Sequence, residues 1–233
     1  MKIFLDVGSN RGQTLDKILE PRHGFERIFL KYGFNRIYCF EPVPELQQIL
    51  ARNYQDPRIV INKVGLWNQT CQRPIYSPGS QSGSIFVDKV NVDPQDSIMC
   101  SFVRASDWFR DHLTESDEVY LKLNCEGCEV DIIEDLLDSN EYRKVKSLGV
   151  AFDVTKIPSQ RGRELEIQQR LKTYGMGNYL DIEVKIGEPD NEKVQRWLRM
   201  AGADRRLLAN RMRQNVYRSQ VFASRISRFL RDA

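Results

Sequence analysis

Short apolar runs alternate along this chain with stretches in which apolar positions recur every three or four residues. Ile3-Phe4-Leu5, the stretch from Arg36 to Phe40, Ile59-Val60-Ile61, Val119-Tyr120-Leu121 and Val145 to Phe152 are the length of strands. Leu180 to Ile186 alternates and predicts a sixth strand. Val64 to Asn68, Arg73 to Ser77 and Ser97 to Arg104 predict shorter additional ones. Leu15, Ile18 and Leu19 share a helical face, stopped by Pro21 and Gly24. Phe25, Ile28, Phe29 and Tyr32 form a second such face, ended by Gly33, so the first crossover is expected to be two short helices. Val43, Leu46, Ile49 and Leu50 predict a helix over 43–53, and Ser106 is expected to cap a helix reaching His112. After Gly127, Val130, Ile133, Leu136 and Leu137 face inward, with Asp131, Glu134, Asp135 and Asp138 outward. Arg161 to Tyr174 predicts a charged amphipathic helix ended by Gly175. Strands alternating with helices in this way predict an α/β architecture.

Two strand ends carry candidate binding chemistry. Asp6-Val-Gly-Ser-Asn-Arg-Gly12 turns sharply from a strand into a helical pattern. Gly8 is expected to let the backbone approach a ligand, and Gly12 to let the helix start pack close to the strand. The spacing Asp-x-Gly-x-x-x-Gly departs from the G-x-G-x-x-G of dinucleotide folds. It suits a ligand that presents an amine and a carboxylate rather than a pyrophosphate, such as S-adenosylmethionine. Asp6, Gly8, Ser9, Asn10 and Gly12 are the candidate cofactor contacts in this loop. The second end is Arg36-Ile-Tyr-Cys-Phe-Glu41, closed by Pro42. A carboxylate at the end of the second strand takes ribose hydroxyls in nucleotide-binding units, because it accepts two hydrogen bonds side by side. An exposed Glu at a strand end is the bland account of Glu41 when it is considered alone.

A third stretch joins them, Val119-Tyr-Leu-Lys-Leu-Asn-Cys-Glu-Gly-Cys-Glu129. Taken with Asp6 to Gly12 and Phe40-Glu41-Pro42, it resembles the FkbM family of S-adenosylmethionine-dependent methyltransferases. The resemblance covers residues 1–155 and is thin beyond. The chain departs from the family pattern at Asn124, where Asp is usual, and in its cysteines at 125 and 128. The resemblance implies a Rossmann-like class I methyltransferase fold: a mostly parallel seven-stranded sheet with helices on both faces. It further implies S-adenosylmethionine as cofactor and O-methylation, often of a saccharide or secondary-metabolite hydroxyl. The seventh strand is expected to be antiparallel and near the C-terminus, with Val216 to Ala223 as candidate; one helix from Glu192 to Leu230 is the competing reading.

Composition narrows the class. At 233 residues, with 41% apolar and 29% charged residues, the chain fits a single soluble domain over 1–233. Residues 1–155 form its core with the cofactor motifs, and 156–233 the last helices and strands. No apolar run approaches the length of a bilayer span, and Asp6 interrupts any signal-like pattern, so a cytoplasmic protein is expected. Five cysteines, at an odd count and scattered, argue against a disulfide framework. Cys125-Glu-Gly-Cys128 lacks the second pair that a zinc site needs, and no metal is expected. The pair is either redox-active or two buried, inert thiols.

Methyl transfer to a hydroxyl needs alignment with the sulfonium methyl and removal of a proton. The two histidines, His23 and His112, lie away from the strand ends. Glu126 is therefore the leading candidate base, with Asp107 behind it. Lys122 and Asn124, two residues apart, point to one side and complete the candidate catalytic group. The plain alternative for Glu126 is an acid that stabilises a helix start. Ser77 to Ser84 is either a lid over the site or a simple connection, with Ser84 anchored by Ile85-Phe86-Val87. Two other classes stay open: a nucleotide-dependent oxidoreductase, against which the missing G-x-G-x-x-G counts, and a non-catalytic nucleic-acid-binding module.

That last class rests on the basic character of the C-terminal segment. The net charge is only +3, yet residues 192–233 hold eleven Lys and Arg against three acids. These cations are either a solvated face or a means of recruiting an anionic small-molecule or glycan acceptor. The apolar residues among them, including Trp197 and Leu198, are expected to pack on the sheet or on a second subunit in a homodimer.

Overall fold

In the first strand, β1 (Lys2–Val7), Ile3, Phe4 and Leu5 are all fully buried, so both faces of the sheet are covered. Successive side chains on a strand point to opposite faces. Ile3, Leu5 and Val7 accordingly join one apolar cluster and Phe4 joins another on the opposite side. The computed structural model describes residues 1–20, 29–30, 32–175, 179–181 and 190–203.

The strands that follow are β2 (Leu19–Glu20), β3 (Phe29–Leu30), β4 (Arg36–Phe40), β5 (Ile59–Asn62), β6 (Gly65–Trp67), β7 (Cys71–Tyr76), β8 (Ser97–Arg104), β9 (Glu118–Leu123), β10 (Val145–Val150) and β11 (Tyr179–Asp181). The helices are α1 (Leu15–Ile18), α2 (Pro44–Asn53), α3 (Ala105–His112), α4 (Glu129–Asp138), α5 (Arg163–Thr173) and α6 (Asp190–Met200). Among the described residues the main sheet has six strands in the order β11-β10-β9-β1-β4-β5, and every pairing between them is parallel. A separate sheet has the order β6-β8-β7, parallel on one side of β8 and antiparallel on the other. The architecture is α/β, as the alternation of elements implies. Val216 to Ala223, the expected seventh strand, lies outside the described residues, as do most of the basic segment, His23, and 182–186 of the expected sixth strand.

Three local expectations are corrected. The first crossover is not two helices: after the single turn of α1, β2 pairs antiparallel with β3, Leu19 opposite Leu30. The apolar positions assigned to a helical face at Leu19 and Phe29 are strand positions, a local pattern too short to tell the two periods apart. Ser106 does not cap α3. Arg104 occupies that position, and the Ser106 N–H donates instead to the Asp135 carboxylate at 2.7 Å. Nor do Asp131 and Asp135 of α4 face solvent, since both are buried. This helix lies on the main sheet with α3, α5 and β6 against it, so its polar face meets protein. Asp131 accepts the Trp67 indole N–H at 2.7 Å and pairs with Arg163 at 2.7 Å. Asp135 pairs with Arg104 at 2.6 Å.

The opposite face of the sheet is closed by α6. Trp197 and Leu198 are buried there with Phe4, so they pack on the sheet. The Trp197 indole N–H donates to the Ser147 hydroxyl at 2.8 Å, and its ring fills the space that a side chain at Gly149 would need. Just beyond the helix, the Ala203 carbonyl accepts from Lys2 Nζ at 2.7 Å.

Asp135→Ala is expected to lower the unfolding free energy by about 1–3 kcal/mol, because it leaves a buried N–H without its acceptor. Asp107→Ala removes only an exposed pair with Arg110 and should cost under about 0.5 kcal/mol. Urea denaturation of the two variants checks this, and equal losses would contradict it.

Candidate functional site

From β1 the chain runs outward through β4 to β5, then returns across β1 to β9 and continues outward through β10. The loops after β1 and β9 therefore leave in opposite directions. Ligand crevices of open α/β sheets form at that point, outside the carboxyl ends of the strands. A cleft of about 560 Å³ lies there, lined from Gly8 to Asn10, at Glu41, and by Lys122, Asn124 and Glu126. This volume falls in the range of small-molecule sites, about 300–1,000 Å³.

The loop after β1 is held by its own backbone. The Gly8 and Ser9 N–H groups both donate to the Phe40 carbonyl at 3.2 Å, and the Ser9 hydroxyl donates to the Asp6 carbonyl at 2.8 Å. Gly8 has φ +77°, and a Cβ there would sit 1.9 Å from the Asn124 carbonyl oxygen. Gly12 has φ +92°, and its Cβ would fall 2.3 Å from the Tyr54 ring. Both glycines are required by close contacts within the protein: Gly8 by the turn after β9, and Gly12 by the residue that ends α2, not by the strand.

Glu41, just past β4, is buried in the wall of the cleft. Its Oε1 accepts the Val43 N–H at 2.9 Å and its Oε2 the Asn10 N–H at 2.8 Å. The second bond joins the two strand-end motifs directly. Burial raises its carboxyl to about 7, while the two N–H donors oppose the rise. A carboxylate has about four acceptor positions, so this one retains capacity for ligand hydroxyls.

Asp6 lies behind the loop rather than in the cleft wall. It is fully buried and pairs with Lys122 at 2.9 Å. Lys122 Nζ also donates to the Gly8 carbonyl at 2.9 Å and itself lines the cleft. Asp6 Oδ2 has no hydrogen-bond partner among the described residues.

The turn after β9 places Asn124, Cys125 and Glu126 in the cleft. Glu126 has φ +62°, unusual for a residue with a side chain. Its carbonyl accepts the Ser84 hydroxyl at 2.6 Å, and its carboxylate pairs with Lys89. Burial and then Asp153 push the Glu126 carboxyl above its ordinary value, and Lys89 and Lys156 oppose them. The acid at the helix start is Glu129, which accepts from the Cys125 N–H at 2.8 Å and the Gly127 N–H at 3.0 Å. That leaves the Glu126 side chain for the cleft. Burial, followed by Asp153, raises the Glu129 carboxyl to about 7.

Cys125 and Cys128 are free thiols, and burial drives Cys125 well above its ordinary value. A thiol held protonated in this way is inert, which favours a structural account of Cys125. His112 is exposed and stacks on Trp108, and Asp107 is an exposed partner of Arg110. The 77–84 segment forms one wall, fastened by pairing of Tyr76 with Ser84 and by the Lys89 ammonium, which donates to the Ser82 carbonyl at 3.2 Å. Lys89, Glu129 and Asp153 escaped the reading of the sequence. Lys89 lies in a segment with no motif, and Glu129 ends one without a role that spacing alone reveals.

No protein-family model matches the chain, and no curated protein matches it. Among solved structures it is similar to the methyltransferase FkbM from Methylobacillus flagellatus KT, at 17% identity and a TM-score of 0.43. The match covers 77% of this chain and 38% of that one. At that TM-score the likeness decides neither fold nor activity; the architecture rests on the strand pairings.

A buried carboxyl with a raised value favours folding in its protonated form. Its contribution is fully present below the unfolded value near 4.5 and is lost as pH rises through about 7. Stability should therefore decline across that window, and Glu129→Gln should flatten the decline. Urea midpoints measured from pH 4.5 to 8 test this; an unaltered slope in the variant would count against a buried, titrating Glu129.

Proposed function

We propose that the protein transfers a methyl group from S-adenosylmethionine to a hydroxyl of a small acceptor, a saccharide or secondary metabolite. The observation that carries this reading is the bond from the Asn10 N–H to the buried Glu41 carboxylate, which unites the two strand-end motifs in one cleft with Glu126. The donor set fits such a cofactor. Glu41 offers paired acceptors for ribose hydroxyls. The loop from Gly8 to Asn10, with the Lys122 ammonium beside it, meets the amino-acid end. The absence of a G-x-G-x-x-G turn argues against a nicotinamide dinucleotide.

The cofactor, when bound, supplies a methyl group on a positively charged sulfur. An acceptor hydroxyl that takes that methyl group would have to give up its proton. Glu126 is the carboxylate in the cleft that takes this proton. Asn124 orients the acceptor by hydrogen bonding, while Lys122, whose ammonium is taken up by Asp6 and the Val7 and Gly8 carbonyls, holds the loop after β1 in place. Alignment accounts for much of the rate, because bringing two reactants into register removes most of the entropic barrier.

Calorimetry with S-adenosylhomocysteine should show binding, and Glu41→Ala should weaken it by about 1–3 kcal/mol. Undiminished affinity in a folded variant, or binding of a nicotinamide dinucleotide instead, would refute the assignment. With a competent acceptor, Glu126→Gln should reduce kcat far more than it changes cofactor affinity, and retained turnover would remove Glu126 from the role of base.

A further inference from the structure

Between β7 and β8 the chain makes a long excursion, residues 77–96, that the sheet does not need as a connection. It meets the cleft at several places, among them the Ser80 carbonyl, which accepts the Asn10 side-chain amide at 3.5 Å, and its firmest hold is on the turn after β9. There the Ser84 hydroxyl donates to the Glu126 carbonyl at 2.6 Å, and its Oγ also accepts the Phe86 N–H at 3.2 Å. Phe86 lies against Gly127, where a Cβ would come within 3.0 Å of its ring. The Lys89 side chain is 1% exposed, and its ammonium meets the Glu126 carboxylate and the Ser82 carbonyl. The next residue, Val90, donates its N–H to the Lys156 carbonyl at 2.9 Å.

We propose that Lys89 is a positioning residue: it reaches from this excursion to fix the Glu126 carboxylate, ionised, over the end of β9, where a hydroxyl proton can be accepted. The proposal rests on the methyl-transfer reading for the meaning of that proton. A lysine is buried at a cost that only a partnered charge offsets, and its partner here is the one carboxylate of the turn left facing the cleft. Glu126 holds a left-handed backbone conformation, which persists only where surroundings over-determine it. Ser84 fixes its backbone and Lys89 its side chain, so both constraints come from the same excursion.

The charges around Glu126 show why a cation is needed. Asp153 and Lys156, from the turn after β10, face the same carboxylate, while Glu129 is committed to backbone N–H groups. Burial and Asp153 both favour the neutral acid, which could not take a proton. Lys89 is the buried cation that opposes them. An opposite charge at contact distance shifts a carboxyl by about 1–3 pH units.

The test is a titration that needs neither acceptor nor cofactor. The side-chain carboxyl carbon of Glu126 is followed by carbon-13 NMR in glutamate-labelled protein and assigned with Glu126→Gln. In Lys89→Met its midpoint should rise by about 1–3 pH units, and Lys89→Arg should restore most of the shift. If Lys89→Met does not fold, Lys89→Gln carries the same comparison. In wild-type protein the Lys89 ammonium nitrogen signal should move at the pH where Glu126 titrates. A midpoint that stays in place on loss of the lysine, or an ammonium signal indifferent to it, overturns the proposal. Failure of S-adenosylhomocysteine to bind would instead refute the methyl-transfer reading and leave the pairing intact.

Discussion

The site depends on the contact between two strand ends. Gly8 and Asn124 lie so close that no side chain fits at Gly8, and the Asn124 N–H donates to the Val7 carbonyl at 3.2 Å. Beneath this contact the buried Asp6–Lys122 pair ties β1 to β9 a second time. Both ions have left water, so their mutual attraction and the carbonyls that Lys122 reaches must offset a large desolvation penalty. Such a pair adds little net stability. It holds the register of two neighbouring strands at the point where their loops diverge, and the cleft opens from there.

The fold was legible in the sequence to the extent that burial dictates pattern. Strands covered on both faces, such as Ile3-Phe4-Leu5, announce themselves as unbroken apolar runs. The acidic face of α4 misled for the complementary reason. Asp131 and Asp135 read as solvent-facing because carboxylates are rarely buried, yet each has partners supplied by distant elements, Trp67 and Arg163 for one, Ser106 and Arg104 for the other. Pairings across such sequence separations leave no local signature. The β2–β3 hairpin failed differently, since two-residue strands fall below the length at which a period can be recognised.

In the candidate site the motif residues were legible and their partners were not. Glu41, Asn124 and Glu126 stand where strand ends place them. Gly8 was expected to make room for a ligand and Gly12 to let the helix start pack on the strand, yet the structure gives them other neighbours: backbone at Gly8 and the Tyr54 ring at Gly12. Distinguishing Glu126 from Glu129 required coordinates. Both are acids in one stretch, and only the direction of the side chains shows which one holds the N–H groups of the turn and which one faces the cleft.

The last described helix bears on how this chain is made. Trp197 seals the sheet face opposite α4, and Lys2, at the start of the central strand, hands its ammonium to the carbonyl of Ala203. Most of the described sequence separates β1 from Trp197, which completes a face that Leu15, Ile18, Phe34 and Leu50 cover only in part. A chain made only as far as α5 would therefore carry that face incompletely covered, the condition that invites association with chaperones or with other unfinished chains. Completion of the core waits on α6, and a truncation before Trp197 would bare the part of the sheet around Phe4 and Gly149 however well the cleft itself had formed.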